Sequence, residues 1–220
     1  MSRRAAVVVA CAGAFAALAA LVAAGELTAA DRWAVYHAMP AALFNGSKPT
    51  FVDAVVPLWH ASWSDAGAAV TNLVTLPAAF TLATVGVALA CLRLPRRAAA
   101  AVGAVYVAGN VVEGIVKSTL TRPALHHDGL HLAGFDASYP SGHALRSVLL
   151  AYAVALAWPR LRTWAAAWAA CSVAMAELGG LHVPSDVAGG LLLAGALLAT
   201  ASAWAPLRPS AASRPSSRAR

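Results

Sequence analysis

Long apolar stretches separated by short charged punctuation run through this chain. Residues 5–24 form an almost unbroken apolar run behind Ser2-Arg3-Arg4, and about 20 such residues suffice to cross a bilayer core. Similar runs cover residues 66–92, 98–116, 142–158, 163–181 and 186–205. The pattern predicts an all-α, polytopic membrane protein: six transmembrane helices in one bundle, within a single domain of residues 1–207. For the first run a cleaved signal peptide is the alternative, because Ala23-Ala24-Gly25 places small residues at its end. Residues 25–65 break the pattern. They mix Glu26, Asp31, Arg32, Lys48, Asp53 and Asp65 with Trp33, Tyr36, Trp59 and Trp63, the blend that a membrane–water interface selects. This segment reads as an outer loop with one or two interfacial amphipathic pieces, and His37 and His60 as its surface residues. Asn45-Gly46-Ser47 matches a glycosylation acceptor but reads as a turn. Residues 208–220, rich in Ser, Pro, Ala and Arg, read as a disordered basic tail.

Composition agrees with the pattern. The chain of 220 residues is 60% hydrophobic and only 11% charged, with a mean hydropathy of +0.67. A soluble domain carries about a quarter charged residues. Cys11, Cys91 and Cys171 all fall inside apolar runs and read as small buried hydrophobes, not as disulfides or a metal site. A net charge of +7 suggests nucleic acid in a soluble protein. Here the placement of the charge changes that reading to membrane orientation. The N-terminus, the 93–97 and 159–162 turns and the tail hold eleven arginines and no acid, while all nine Asp and Glu lie elsewhere. With six spans these basic segments share one side. The positive-inside rule then puts both termini in the cytoplasm and the intervening polar loops on the outer face of the cell membrane.

Three polar clusters interrupt the apolar pattern at span ends on that outer face. The first is Lys117-Ser118-Thr119-Leu120-Thr121-Arg122-Pro123. The second is Tyr139-Pro140-Ser141-Gly142-His143-Ala144-Leu145-Arg146. The third is Leu181-His182-Val183-Pro184-Ser185-Asp186. Ser141 is a good N-cap residue. Gly142 lets a ligand approach the backbone closely. The helix that follows points free N–H groups and a positive dipole end at the loop, which favours an anion. Lys and Arg neutralise phosphate oxygens. One histidine can attack phosphorus, and a second can protonate the leaving oxygen. His182 and Asp186, four apart across Pro184, suit the nucleophile and its carboxylate, and His143 suits the acid.

Together the clusters resemble the signature of the type 2 phosphatidic acid phosphatase superfamily, which also includes vanadium haloperoxidases. The family pattern is K-x6-R-P, then P-S-G-H, then S-R-x5-H-x3-D. Pro140-Ser141-Gly142-His143 and His182-x3-Asp186 match it fully. The resemblance implies His143 as the acid, His182 as the nucleophile, Asp186 as its partner and Lys117 as a phosphate ligand. It also implies a metal-independent membrane phosphatase with no cofactor. The substrate would be a lipid phosphate or diphosphate: polyprenyl diphosphate, phosphatidic acid or phosphatidylglycerophosphate. The partners expected are the lipid bilayer and that lipid, with no nucleic acid.

Two departures stand out. Counting the family spacing from Lys117 reaches Ala124, whereas this chain has Arg122-Pro123, and the third-motif Ser-Arg falls on Met175-Ala176. Arg122 and Arg146 are the expected replacements, joining Ser141 and Gly142 in binding phosphate. An ionisable residue such as Arg146, just inside an apolar helix, needs a partner. Glu113, four before Lys117, reads first as its counter-ion. Glu177 pairs with Arg146 or Arg122, or points elsewhere. His126-His127-Asp128 with His131 reads as a solvated loop at the substrate entrance, zinc being the alternative. Two other functions compete. A degenerate member would bind a lipid phosphate without turnover. A transporter would show repeats or paired broken helices, and the chain shows neither pattern.

Overall fold

The computed structural model describes residues 2–38, 63–127 and 130–204. Lys48, Asp53, Trp59, His60, the Asn45-Gly46-Ser47 turn, Asp128 and the 208–220 tail lie outside the described residues. The helices are α1 (Arg3–Ala24), α2 (Thr28–Ala38), α3 (Trp63–Thr75), α4 (Phe80–Cys91), α5 (Arg96–Thr119), α6 (Gly142–Ala157), α7 (Arg162–Leu178) and α8 (Pro184–Trp204), and all but α2 follow the apolar runs, with α3 and α4 sharing one. The only pairing of strands among the described residues is a two-residue antiparallel ladder, β1 (His126–His127) on β2 (Leu130–His131), in the loop between α5 and α6.

Helix α6 is the hub. Ala144, Leu145, Leu149, Leu150, Ala151 and Ala153 are all buried, and α4, α5, α7 and α8 pack around it. Small residues make that packing close, as they do where helices meet without a hydrophobic drive between them. A Cβ on Gly109 of α5 would meet Leu197 at 2.9 Å, and one on Gly86 of α4 would meet Leu150 at 2.8 Å. The outer surface is apolar instead of charged. Val7, Val9, Leu73, Val85, Leu89, Val107, Val111, Ile115 and Trp164 point outward, an arrangement that water penalises and hydrocarbon accepts. This is the exterior of a membrane protein.

Fewer helices than the six apolar runs are long and apolar enough, each on its own, to cross a bilayer. Among the described residues, α1, α5 and α8 are long and apolar enough to span a bilayer. The α3–α4 pair adds a fourth crossing if it counts as one broken span. The expected continuous span over 66–92 is interrupted by a 3-10 turn at Leu76–Ala78 and bends by 44°, because Pro77 lacks an N–H and clashes with the preceding turn. Helix α6, at 16 residues, is about 24 Å long, short of the ~30 Å hydrocarbon thickness. Helices α4, α5, α7 and α8 pack around it. The first part of residues 25–65 is an amphipathic helix, with Arg32, Trp33 and Tyr36 exposed on one face. Helix α2 lies against the bundle, and Ala34 and Val35 form a small core with Leu125, Leu132, Phe135 and Val183.

The two ends of the bundle differ. At one end Arg4 Nη1 donates to the Ser202 carbonyl at 2.9 Å. Arg93 lies 5.2 Å above the Trp158 ring, which joins the two basic turns. At the other end the last turns of α5 and α7 meet the first turns of α6 and α8. All three polar clusters converge there.

Candidate active site

Most side chains at this end are placed by a helix terminus, and Arg122 by the loop after α5. Helix α5 runs three residues beyond the expected span end, so Lys117 sits in its last turn and not in a loop. Helix α6 starts at Gly142, capped by the Ser141 hydroxyl, which accepts from the Ala144 N–H at 3.2 Å. Helix α7 stops at Leu178. Gly180 follows with φ +72°, a conformation that costs glycine little. The chain then turns back so that the Leu181 and His182 N–H groups both donate to the Ala176 carbonyl at 3.0 Å. Helix α8 begins at Pro184, where a missing N–H costs nothing. The Ser141 N–H donates to the Asp186 carbonyl at 2.8 Å, which ties the second cluster to the third. Tyr139 closes the floor. Burial, and then the nearby Asp186 carboxylate, push its phenol well above the ordinary range. Its hydroxyl remains a donor, to the Phe15 carbonyl at 3.1 Å.

Two ion clusters form. In the first, Asp186 stands between a histidine and an arginine. His182 Nδ1 lies 3.5 Å from Asp186 Oδ2, and Arg122 Nη1 donates to Asp186 Oδ1 at 3.0 Å. On its other ring nitrogen, His182 Nε2 lies 3.4 Å from His143 Nδ1. Arg122 also donates through Nη2 to Asp31 Oδ2 at 2.5 Å. Asp31 comes from α2. In the second cluster, Glu113 takes Lys117 Nζ at 2.7 Å on Oε1 and Arg146 Nη1 at 2.6 Å on Oε2. Arg146 is further fixed by Asn110 Oδ1 at 3.1 Å and the Ala78 carbonyl at 2.8 Å. Gly142 faces this cluster. A Cβ there would run into Glu113 and Arg146, so the close approach that this glycine permits in the free protein is by an ion pair.

All eight residues expected from the three motifs are therefore at one end of the bundle: Lys117, Arg122, Ser141, Gly142, His143, Arg146, His182 and Asp186. The acids were only partly anticipated. Glu113 meets Lys117 as expected but also Arg146. The carboxylates on Arg146 and Arg122 are Glu113, Asp31 and Asp186, not Glu177. Asp31, expected at a wet interface, is 1% exposed. One signal for it was present: Asp31, Ala34 and Val35 lie at i, i+3 and i+4, a single helix face. The two positions where the family arginines would fall differ. Ala176 is fully buried, whereas Ala124 is exposed. In the loop between α5 and α6, His131 Nε2 lies 2.9 Å from Asp136 Oδ1, and the His126 and His131 rings stack. No group of three or more His, Cys, Asp or Glu among the described residues is placed to hold a metal ion.

Comparison with known proteins bears on the same region. The PAP2 superfamily model matches residues 97–209, just over half of the chain, including all three clusters. This chain belongs to the PAP2 superfamily. No curated protein and no solved structure matches it. Membership suggests phosphatase-type chemistry on phosphate esters, and the matched region holds both histidines and Asp186.

Proposed function

We propose that this protein removes phosphate from a lipid phosphate or diphosphate through a phosphohistidine on His182. The observation that carries the reading is the line Asp186–His182–His143, in which one ring nitrogen of His182 meets a carboxylate and the other meets a second histidine. A carboxylate at Nδ1 holds the proton there and makes the Nε2 lone pair, which faces His143, the nucleophile. The 3.5 Å separation is long, as such contacts often are before substrate tightens them.

The steps follow from these positions. His182 Nε2 attacks phosphorus while His143 gives its proton to the departing lipid oxygen. The P–N bond forms as the P–O bond breaks, and Asp186 stabilises the imidazolium. His143, now neutral, takes a proton from water. That water attacks the phosphohistidine, releases inorganic phosphate and regenerates His182. Lys117, Arg146, Ser141 and the free N–H groups at the start of α6 bind the equatorial oxygens. Lys117 is the most open of the cations, with 28% of its side chain exposed, against 3% for Arg122. This supports entry of the headgroup from the Lys117 side, with Arg122 buried behind the nucleophile.

The six-span reading remains the basis for sidedness. If α6 and α7 also cross, the basic turns face the cytoplasm and the site faces outward, level with lipid headgroups. Polyprenyl diphosphate, phosphatidic acid and phosphatidylglycerophosphate share the phosphate and the lipid anchor that such a site needs. A second reading is favoured by one specific observation. Lys117, Arg122 and Arg146 are each paired to a carboxylate, and Ala124 and Ala176 stand where family arginines would fall. A protein so compensated would bind a lipid phosphate without turning it over.

The deciding experiment is phosphate release by detergent-solubilised protein from a panel of lipid phosphates, with EDTA present and His182→Ala as control. Release by wild type alone supports the phosphatase and ranks its substrates. Protection against thermal unfolding by phosphate or vanadate without release supports binding only.

A further inference from the structure

The acid on the far side of Arg122 is not explained by any of the three motifs. Asp31 is 91 residues from Arg122 and 154 from Ser185 in sequence, yet it bonds both. Its Oδ2 accepts from Arg122 Nη2 at 2.5 Å and from the Ser185 hydroxyl at 2.7 Å, and its Oδ1 accepts from the Ser185 N–H at 3.1 Å. That N–H is one of the first in α8, which the helix itself leaves without a partner. Ser185 immediately precedes Asp186. Asp31 therefore touches the nucleophile's carboxylate by two routes. One runs through the backbone of the first turn of α8, and the other through the charge on Arg122.

We infer that Asp31 is a positioning residue for the His182–Asp186 pair, acting through Arg122, and that α2 is a working part of the active site. The inference rests on the phosphohistidine reading. The guanidinium is a fork with one arm on each carboxylate. With Nη2 held by Asp31, Nη1 fixes Asp186 Oδ1, and together with the Val183 N–H, which donates to Oδ2 at 3.3 Å, this keeps Oδ2 on the His182 Nδ1 side. The three side chains of this relay, Asp31, Arg122 and Asp186, are at most 3% exposed, so water cannot substitute for a lost arm. The carboxylate rotation matters most when His182 becomes positive, that is, in the transition state and not in the ground state. Neutralising Asp31 loosens Arg122 and with it one of the holds on Asp186, which the Val183 N–H and Ser138 also keep, so that the carboxylate and the imidazole shift. A misplacement of this kind costs up to on the order of 100-fold in rate.

The test uses the full chain in detergent. Asp31→Asn keeps the size and, through Oδ1, the acceptor for the Ser185 N–H, with Nδ2 able to donate to the Ser185 hydroxyl, but removes the charge that holds Arg122. The expected result is a 10- to 100-fold fall in kcat with KM within about twofold. Vanadate mimics the five-coordinate transition state, so its inhibition constant should rise by the same factor, while that of inorganic phosphate stays within about twofold. Asp31→Glu should recover part of the loss. In an Arg122→Gln background Asp31→Asn should cost nothing further. Equal losses in kcat, KM and phosphate affinity, or losses that add across the two sites, overturn the proposal. If Asp31→Asn does not fold, Arg122→Lys tests the same link by keeping a cation and removing the fork, and wild-type kcat there overturns it. If wild-type protein releases no phosphate, the phosphatase reading fails. The ratio of vanadate to phosphate affinity still reports on Asp31: loss of the vanadate preference in Asp31→Asn upholds the positioning role, and an unchanged or absent preference overturns it.

Discussion

Glu113 sits between two of the cations that a substrate phosphate would use, and Glu113→Gln separates its effects on stability and binding. In the free protein the carboxylate bridges Lys117 and Arg146 at 2.7 and 2.6 Å. Its side chain is 8% exposed, Arg146 10% and Lys117 28%. Removing one partner of a buried ion pair costs about 3–5 kcal/mol. Gln keeps an oxygen acceptor, Lys117 reaches water, and Arg146 retains Asn110 and Ala78, so about 2 kcal/mol is expected. Binding should move the other way. At an effective dielectric of ~20, two unit charges ~6 Å apart interact by roughly 3 kcal/mol, and this is the scale on which Glu113 would oppose a phosphate held by its two cations. Partial exposure lowers this to about 1.5 kcal/mol, or roughly tenfold in affinity. The assay is inhibition by inorganic phosphate at fixed pH, alongside denaturation in detergent. Glu113→Gln should unfold more easily yet bind phosphate about tenfold more tightly. Weaker phosphate binding in a folded variant would refute the reasoning, because Glu113 would then be presenting the two cations instead of occupying them.

Three further outcomes are expected. Ser141→Ala removes the N-cap of α6 and should cost about 1 kcal/mol of stability, measured by denaturation, with a rise in KM larger than any fall in kcat. Gly190→Ala drives a methyl to 2.5 Å from the Ser141 carbonyl. It should destabilise by about 1–3 kcal/mol and lower activity by shifting His143 away from His182, whereas Gly103→Ala, with open space around it, should do neither. Arg146→Ala leaves Glu113 on Lys117 alone and removes one phosphate ligand. Phosphate inhibition should weaken about tenfold or more, and unchanged inhibition would remove Arg146 from the site.

What was legible in the sequence was local. Lys117, the Ser141-Gly142-His143 helix start and His182 with Asp186 each lie within one helical turn of their neighbours, so spacing alone carries their geometry. The helical stretches were legible because lipid and core both select unbroken apolar runs. For the same reason the number of crossings was not: an apolar run reads alike whether its helix faces lipid or, like α6, faces other helices. The break at Pro77 was within reach of a known rule, since proline inside a helical run ends or kinks it. Asp31 was out of reach of motif reading. Its partners are separated from it by most of the chain, and its neighbours Arg32, Trp33 and Tyr36 face outward and carry an interfacial signature. The second partner of Glu113, Arg146, is 33 residues away, so the bridging role could not be read from the i, i+4 pair with Lys117.

The most direct measurement of the central claim is where the phosphorus goes. Protein with His143→Ala, given an aryl phosphate whose leaving group needs no proton, should attack normally but lack the base for hydrolysis. The phosphoenzyme should accumulate in an acid quench-labile, alkali-stable form. Peptide mapping should place it on His182, and the His143→Ala/His182→Ala double variant should carry none. Label on another residue, or steady phosphate release by His182→Ala, would contradict the phosphohistidine route.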